Sequence, residues 1–96
     1  MDKTLGLAYR ARKTVIGTDN TIEHLRKHKL FLIMLANDAS PLTQKKITDK
    51  AKTYQTPVMM DLSSFDLSNA VGKNDIKVIG ITDQGFAQLL MDKKRK

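Results

Sequence analysis

The sequence predicts an α/β domain in which helices cover both faces of a single sheet. Segments with helical and extended patterns alternate along the whole chain. The longest apolar run, residues 30–36 (LFLIMLA), has the length of a strand that is buried on both faces. With 96 residues, of which 41% are hydrophobic, the chain is long enough for one folded domain with a modest core. We therefore predict one domain over residues 1–96, with frayed ends at 1–2 and 93–96.

The first third of the chain predicts a helix, a short strand and a second helix. Residues 4–13 (TLGLAYRARK) place apolar side chains at helical spacing, and residues 15–16 are typical of a short strand. Gly17 interrupts the pattern, and Thr18 is the expected N-cap of the second helix. That helix should bury Ile22 and Leu25 and end by residue 28 or 29.

The middle of the chain predicts a strand, a loop and a third helix. The apolar run 30–36 is the strand, and residues 37–39 (NDA) form the loop. Ser40 before Pro41 is typical of an N-cap followed by proline in the first turn. We expect the helix to run to about Tyr54.

The last part of the chain predicts two more strands and two more helices. Residues 58–60 and 76–81 (IKVIGI) are extended, and a helix between them should end at Gly72. Thr82 is the expected cap of a final helix over residues 83–92. Its inner face should carry Phe86, Leu89 and Leu90. Three aromatic side chains are expected in the core: Tyr9, Phe65 and Phe86.

Charge and composition restrict the function classes. Seventeen Lys and Arg against ten Asp and Glu give a net charge of +7, which suits a polyanionic partner such as nucleic acid or an acidic membrane surface, or serves only solubility. The absence of cysteine excludes disulfides, thiol catalysis and cysteine-bound zinc. No apolar run is long enough to span a bilayer, so we expect a cytoplasmic protein without membrane contact.

Several stretches, taken in order, resemble a known family. They are residues 17–23 (GTDNTIE), 30–38 (LFLIMLAND), 47–50 (ITDK), 56–58 (TPV), 67–72 (LSNAVG) and 80–87 (GITDQGFA). Their order and spacing resemble the kink-turn-binding ribosomal proteins, the large-subunit "L-seven-Ae" and "L-thirty-e" superfamily. The stretches 47–50 and 80–87 are similar to its small bacterial YlxQ-like branch. The resemblance covers nearly the whole chain.

This resemblance implies a fold, a partner and a site. The fold would be a three-layer α/β/α sandwich with a single mixed sheet of about four strands. The partner would be structured RNA with a kink-turn, a sharp bend flanked by sheared G·A pairs. Ribosomal RNA is the favoured partner, with a regulatory RNA or a ribosome assembly intermediate as alternatives. Recognition would need no cofactor and no metal, and we expect a monomer.

In the family, RNA is contacted by the glycine-led start of the second helix and by the loop after the LxxAxG segment. A helix start offers backbone N–H groups to phosphate, and basic side chains add phosphate contacts. An apolar residue of the loop, Val71 or Ile76, would pack on an exposed base. The predicted RNA-binding residues are Gly17, Thr18, Asp19, Asn20, Glu23, Lys27, Arg10, Arg12, Lys13, Val71, Gly72, Lys73, Asn74 and Ile76, with Lys77 as a further phosphate contact.

The sequence departs from the family motif at one charge. That motif has Asn, Glu and Lys where this chain has Asp19, Asn20 and Glu23. Asp19 and Asn20 still offer groups that hydrogen-bond to base edges. Glu23 places a negative charge where the family has a positive one. This weakens the expected attraction to phosphate by an amount on the order of 1 kcal/mol for charges near 16 Å apart at a dielectric of about 20.

Two other function classes follow from weaker features. Because of Glu23, the alternative function is a protein-interaction adaptor on the same fold, with specific RNA binding weakened or lost. An enzyme, for example a nuclease or methyltransferase, is disfavoured because no glycine-rich cofactor loop or acidic metal cluster is present. His24 and His28 share the spacing of metal ligands but lack a third ligand, and Asp61 and Asp66 are typical of turns and caps.

Overall fold

A computed structural model describes residues 3–94 and contains five helices and four strands. The alternating order predicted from the sequence is confirmed. The elements are α1 (Thr4–Arg10), β1 (Thr14–Ile16), α2 (Thr18–Arg26), β2 (Leu32–Leu35), α3 (Pro41–Thr53), β3 (Val58–Met59), α4 (Ser64–Val71), β4 (Val78–Ile81) and α5 (Gln84–Lys94).

The four strands form one mixed sheet in the order β1-β4-β2-β3. Strand β4 pairs antiparallel with both β1 and β2, and β3 adds to β2 in parallel. Every residue of the central strands β2 and β4 is buried, as the continuous apolar runs indicated. Gly80 in β4 allows the close packing at this centre, because a Cβ there would lie 2.8 Å from Val15 Cγ2 and 3.0 Å from the methyl groups of Leu30.

The helices divide into two layers. Helices α2 and α3 contact each other and pack on one face of the sheet, α2 against β1 and β4 and α3 against β2. Helix α1 contacts α4 and α5, and α5 packs on β4. The predicted three-layer α/β/α arrangement is therefore confirmed, and one continuous cluster of buried apolar residues fills it.

Several predicted boundaries were wrong by one to three residues. Gly17, not Thr18, is the N-cap of α2, and Thr18 is its first helical residue. Helix α5 begins after Asp83, whose carboxylate accepts from the N–H of Phe86, and not after a cap at Thr82. The central strands are shorter than their apolar runs, because hydrophobicity marks burial whereas pairing defines the strand. Residues 93–94 belong to α5, and residues 1–2 and 95–96 of the predicted frayed ends lie outside the described residues.

Two side chains expected in the core were placed wrongly. Phe65 is 71% exposed and Leu89 is 51% exposed, whereas Tyr9 and Phe86 pack against the core as expected. Leu7, Phe31 and Leu42 are also large exposed hydrophobic residues. Helical spacing alone could not show that the sheet is too small to cover every apolar position of its helices.

Helices α1, α2 and α3 end in the same way, with a residue other than glycine in the left-handed region. At α2 the N–H of His28 donates to Leu25 O and that of Lys29 donates to His24 O, at 2.9 and 3.0 Å, which is a Schellman motif. Arg12 and Gln55 hold the equivalent positions after α1 and α3. Their φ angles are 60° for Arg12, 57° for His28 and 56° for Gln55. The helices therefore stop earlier than their apolar patterns indicated, without the glycine that usually marks such an end.

We predict that Gln55→Gly raises the free energy of unfolding by about 1 kcal/mol. A left-handed conformation strains a side chain by roughly 1–2 kcal/mol, and the greater freedom of glycine in the unfolded chain cancels only part of the gain. Urea denaturation of the two proteins measures the difference. Gln55→Ala is the control, because it keeps the Cβ and should not be stabilised. An unchanged or lower stability of Gln55→Gly would contradict the strain argument.

Candidate nucleic-acid interface

Helix α2 begins with backbone groups that no side chain caps. Helices α3, α4 and α5 each have a capping side chain, from Ser40, Ser63 and Asp83. At α2 the N-cap is Gly17, with φ 99° and ψ 158°, a conformation that disfavours any residue with a Cβ. Among the described residues no side chain caps this helix. The first-turn amides thus remain available to an acceptor from outside the protein.

The sheet brings this helix start beside the loop that precedes β4. The N–H of Gly17 donates to Val78 O at 2.9 Å, immediately after the pairing of Ile16 with Ile79. Val78 is the first residue of β4 and follows directly on the loop over residues 72–77. The two segments that the resemblance assigned to RNA binding therefore lie at the same end of the sheet, which we call the Gly17 end.

The first turn of α2 presents two polar side chains to solvent. The Asp19 side chain is 96% exposed and lies 3.8 Å from Lys46 Nζ of α3. Asn20 is exposed, and its Nδ2 donates to Ile16 O at 3.0 Å. This bond ties Asn20 to the end of β1 and leaves the second N–H and the oxygen of the amide for other partners. Thr18 is half-buried.

Glu23 and Lys27 continue the exposed stripe that Asp19 begins, since these residues follow one another at intervals of four. Glu23 Oε2 lies 3.5 Å from Lys27 Nζ, and both side chains are more than half exposed. The negative charge that departs from the family motif is thus partly balanced on its own helix, although an exposed pair of this kind contributes little stability.

The loop after α4 combines exposed and buried residues. Gly72 ends the helix in the left-handed region with φ 67°, and Lys73 and Asn74 are exposed. Val71 is only 6% exposed and belongs to the core, so the expectation that its side chain packs on a base is wrong. Ile76 is half-buried, and its N–H donates to Ser68 Oγ at 2.9 Å. Ile76 is therefore the apolar residue of this loop that retains an accessible face.

A contact that the sequence did not reveal ties the Gly17 end together. The carboxylate of Asp38, in the loop after β2, accepts from the N–H and the hydroxyl of Ser64 at 2.8 and 2.7 Å. The hydroxyl and then the N–H of Ser64 hold the pKa of Asp38 below its ordinary value. Local patterns identified Asp38 only as a turn residue, because its partner lies 26 positions away.

Lys77 is a half-buried cation at this end. Its Nζ lies 2.8 Å from Asp75 Oδ1, and this hydrogen bond raises the pKa of Lys77, with a weaker contribution from Asp38. Lys77 therefore stays protonated and sits beside the start of β4, where its backbone O accepts from Ala36 N.

Three predicted basic residues lie elsewhere. Arg10 ends α1, and Arg12 and Lys13 lead into β1 at the end opposite Gly17, where Lys13 O accepts from Thr82 N. The length of β1 separates Lys13 from Gly17 by roughly 13 Å. Lys27 is the C-cap of α2 and therefore lies at the end of the helix that is remote from Gly17. The structure therefore does not bring Arg10, Arg12 and Lys13 together with the first turn of α2.

The histidine pair has local partners. His24 Nδ1 hydrogen-bonds to Asn20 O at 2.9 Å, and His28, which lies beyond the helix, makes an edge contact with Tyr54 at 5.4 Å between ring centroids. Residues 3–94 contain no group of three or more side chains that could hold a metal ion. Over the same residues, every helix is too short or too polar to cross a membrane.

Comparison with known proteins gives relatives over nearly the full chain. The RNA-binding protein YlxQ of Bacillus subtilis (strain 168) is 44% identical over 87 residues, which are 91% of this chain and 87% of the relative. The RNA-binding protein YlxQ of Enterococcus faecium is 40% identical over 84 residues, 88% of this chain and 81% of the relative.

Two solved structures share the fold. A protein with unknown function from Bacillus halodurans C superposes with a TM-score of 0.93 at 34% identity, over 98% of this chain and 95% of that one. The 15.5kD RNA binding protein of Giardia lamblia gives a TM-score of 0.81 over 95% of this chain and 81% of that one, at 15% identity. The latter likeness concerns the fold alone.

The family model of the Ribosomal protein L7Ae/L30e/S12e/Gadd45 family matches residues 1–91. This match agrees with the resemblance carried by the sequence stretches and with the three-layer fold. The chain belongs to the Ribosomal protein L7Ae/L30e/S12e/Gadd45 family.

Proposed function

We propose that this protein binds structured RNA at its Gly17 end, without catalysing a reaction on it, and that the preferred RNA contains a kink-turn or a similar bend. The observation that carries the proposal is the uncapped start of α2 beside the loop over residues 72–77. Two relatives, which are 44% and 40% identical to this chain, are named RNA-binding proteins, and this supports the same class of partner. Ribosomal RNA, on the ribosome or its assembly intermediates in the cytoplasm, is the proposed target, and the protein acts as a monomer.

Recognition would begin with a phosphate at the start of α2. The first-turn amides and the positive end of the helix dipole both favour an anion there. Gly17 leaves the approach open, because a Cβ built on it meets nothing within 4 Å and the position therefore borders open space. Lys73 and Lys77 of the neighbouring loop add positive charge for a second phosphate.

Base readout would come from Asn20 and Asp19. An amide both donates and accepts, and a carboxylate accepts from guanine N1–H and N2–H₂. A bent RNA helix exposes such base edges, which a regular A-form major groove hides from side chains. Ile76 then offers its accessible face to an unstacked base beside the bend.

The proposal predicts a strong preference for bent RNA. We expect a kink-turn RNA to bind about a hundredfold more tightly than the same RNA with its G·A pairs replaced by Watson–Crick pairs, which corresponds to about 2.7 kcal/mol. A fluorescence titration of both RNAs at near-physiological salt measures the ratio. Equal and weak binding, with a steep salt dependence, would mean that only the general basic charge of the protein attracts RNA.

Asn20→Ala tests the base contact. We expect it to weaken the kink-turn complex by roughly 1–3 kcal/mol. Because Asn20 also donates to Ile16 O, the unfolding midpoint of the variant must be measured in parallel. Lys45→Gln is a control at an exposed position of α3. If Asn20→Ala and Lys45→Gln weaken binding equally, Asn20 does not read a base.

Glu23→Lys tests how α2 faces the RNA. Reversing this charge should tighten kink-turn binding by about 1–2 kcal/mol at low salt, because it removes a repulsion, frees Lys27 and adds a cation. Glu23→Gln should fall between the two. The titration is repeated at two salt concentrations to separate the charge effect from changes in stability. An affinity unchanged in both variants would show that α2 docks in another orientation.

One observation favours a second candidate function, a protein-interaction adaptor. Leu42 and Phe65, in the first turns of α3 and α4, are 81% and 71% exposed. Asp38 joins these two helix starts through Ser64, so both side chains lie at the Gly17 end. A protein partner would cover such apolar side chains. Absence of any preference in the kink-turn titration would favour this function over RNA recognition.

A further inference from the structure

We propose a second binding surface for RNA at the end of the sheet opposite Gly17, where a single-stranded segment stacks a base on Phe31. The surface consists of two adjoining depressions that share His28 and Phe31, and we call it the Phe31 groove. It goes beyond the function proposed above, because none of its residues belongs to the Gly17 end.

The sheet fixes the place of the groove. The N–H of Phe31 donates to Ile81 O, at the last residue of β4, and Thr82 N donates to Lys13 O beside it. The end of the sheet opposite Gly17, where β1 begins and β4 ends, therefore carries Phe31, Lys13 and Thr82. The C-terminal ends of α1, α2 and α3 lie at the same end, because the strands that follow them, β1, β2 and β3, all begin there.

Phe31 is an aromatic side chain held in the open. It is 42% exposed, while its backbone is fixed by the bond to Ile81. His28 and Tyr54 line one of the two depressions with it and are in edge-to-face contact with each other. Single-stranded nucleic acids stack their bases on exposed aromatic rings of this kind, and such a ring accepts any base because every base has a π-face.

The charge around the ring suits a polyanion. Arg12 and Lys29 line the depression on one side of Phe31, with His24 at its wall. Among residues 3–94, no Asp or Glu lines either of the two depressions. The nearest carboxylate along α2, that of Glu23, is paired with Lys27. A phosphate beside a stacked base would therefore meet Arg12 and Lys29 in one depression and residues without a carboxylate in the other.

Backbone strain is concentrated on the same groove. Four residues other than glycine have positive φ among the described residues, and three of them, Arg12, His28 and Gln55, line the Phe31 groove. Glycine at these helix ends would relieve the strain. The chain instead keeps a guanidinium, an imidazole and an amide there, and strained positions of this kind cluster at binding sites. All three are side chains that donate hydrogen bonds to phosphates or base edges.

The proposed ligand of the Phe31 groove is thus a short unpaired RNA strand. One base stacks on Phe31, and the flanking phosphates lie near Arg12 and Lys29. Stacking on Phe31 needs no bend in the RNA and does not distinguish one base from another. The affinity should therefore vary little with RNA sequence and fall as the salt concentration rises. This distinguishes it from kink-turn recognition at the Gly17 end.

A labelled ten-nucleotide oligouridylate, which forms no kink-turn, is the probe. We expect saturable binding by fluorescence anisotropy, about tenfold weaker for Phe31→Ala and largely restored for Phe31→Trp. Lys29→Gln should weaken binding more than Lys45→Gln, which removes the same charge from an exposed site on α3. Equal affinities of the native protein and Phe31→Ala would overturn the proposal, and so would equal effects of the two lysine variants.

His28→Gly guards against loss of folding. It should raise the unfolding midpoint and at the same time weaken oligouridylate binding, a combination that damage to the fold cannot produce. A stabilised His28→Gly variant with unchanged oligouridylate affinity would overturn the proposal, because His28 would then serve only to end its helix. Asn20→Ala should leave oligouridylate binding unchanged, and Phe31→Ala should leave kink-turn binding unchanged. The two proposals can therefore fail separately.

Discussion

The antiparallel pairing of β4 with both β1 and β2 is the constraint on which the rest of the structure depends. It places the start of β4 beside Gly17 and the end of β4 beside Phe31. The four residues of β4 therefore connect the two ends of the sheet. The pairing is close because Gly80 lets Val15 and Leu30 approach the middle of the strand, where a Cβ would collide with them. The Gly17 end and the Phe31 groove thus lie at opposite ends of the same buried strand.

The direction of the helices gives these two ends different chemistry. Helices α2 and α3 start at the Gly17 end and finish at the opposite one, so backbone N–H groups face one end and carbonyl groups the other. At the Gly17 end an anion is attracted by the backbone itself. At the other end the Schellman motifs pair two carbonyls of each helix, and the carbonyl end of a helix does not attract an anion. Any attraction for an anion there must come from side chains such as Arg12 and Lys29.

The alternation of patterns was enough to predict the class, the order of elements and the buried central strand, because these depend on local hydrophobic periodicity. It was not enough to predict the ends of α1, α2 and α3, because Arg12, His28 and Gln55 carry none of the glycine signal that marks a left-handed end. The contact of Asp38 with Ser64 depends on the packing of distant segments. For the same reason the sequence grouped Arg10, Arg12 and Lys13 with Gly17, although the length of β1 separates them.

Helix α2 connects the two ends, and its own sequence explains how they can differ. Ile22 and Leu25 anchor its inner face in the core, while Asp19, Glu23 and Lys27 form the outer stripe. The stripe runs from acidic at the Gly17 end to basic at the other, which matches the helix dipole and stabilises α2. That order opposes phosphate binding at the helix start. Glu23 therefore stabilises the helix but repels the phosphates of an RNA bound to it. The exposed ion pair with Lys27 is too weak to cancel this repulsion. The first-turn amides after Gly17 act in the opposite direction. No side chain caps them and they favour an anion at the helix start, whereas Ser40, Ser63 and Asp83 cap α3, α4 and α5.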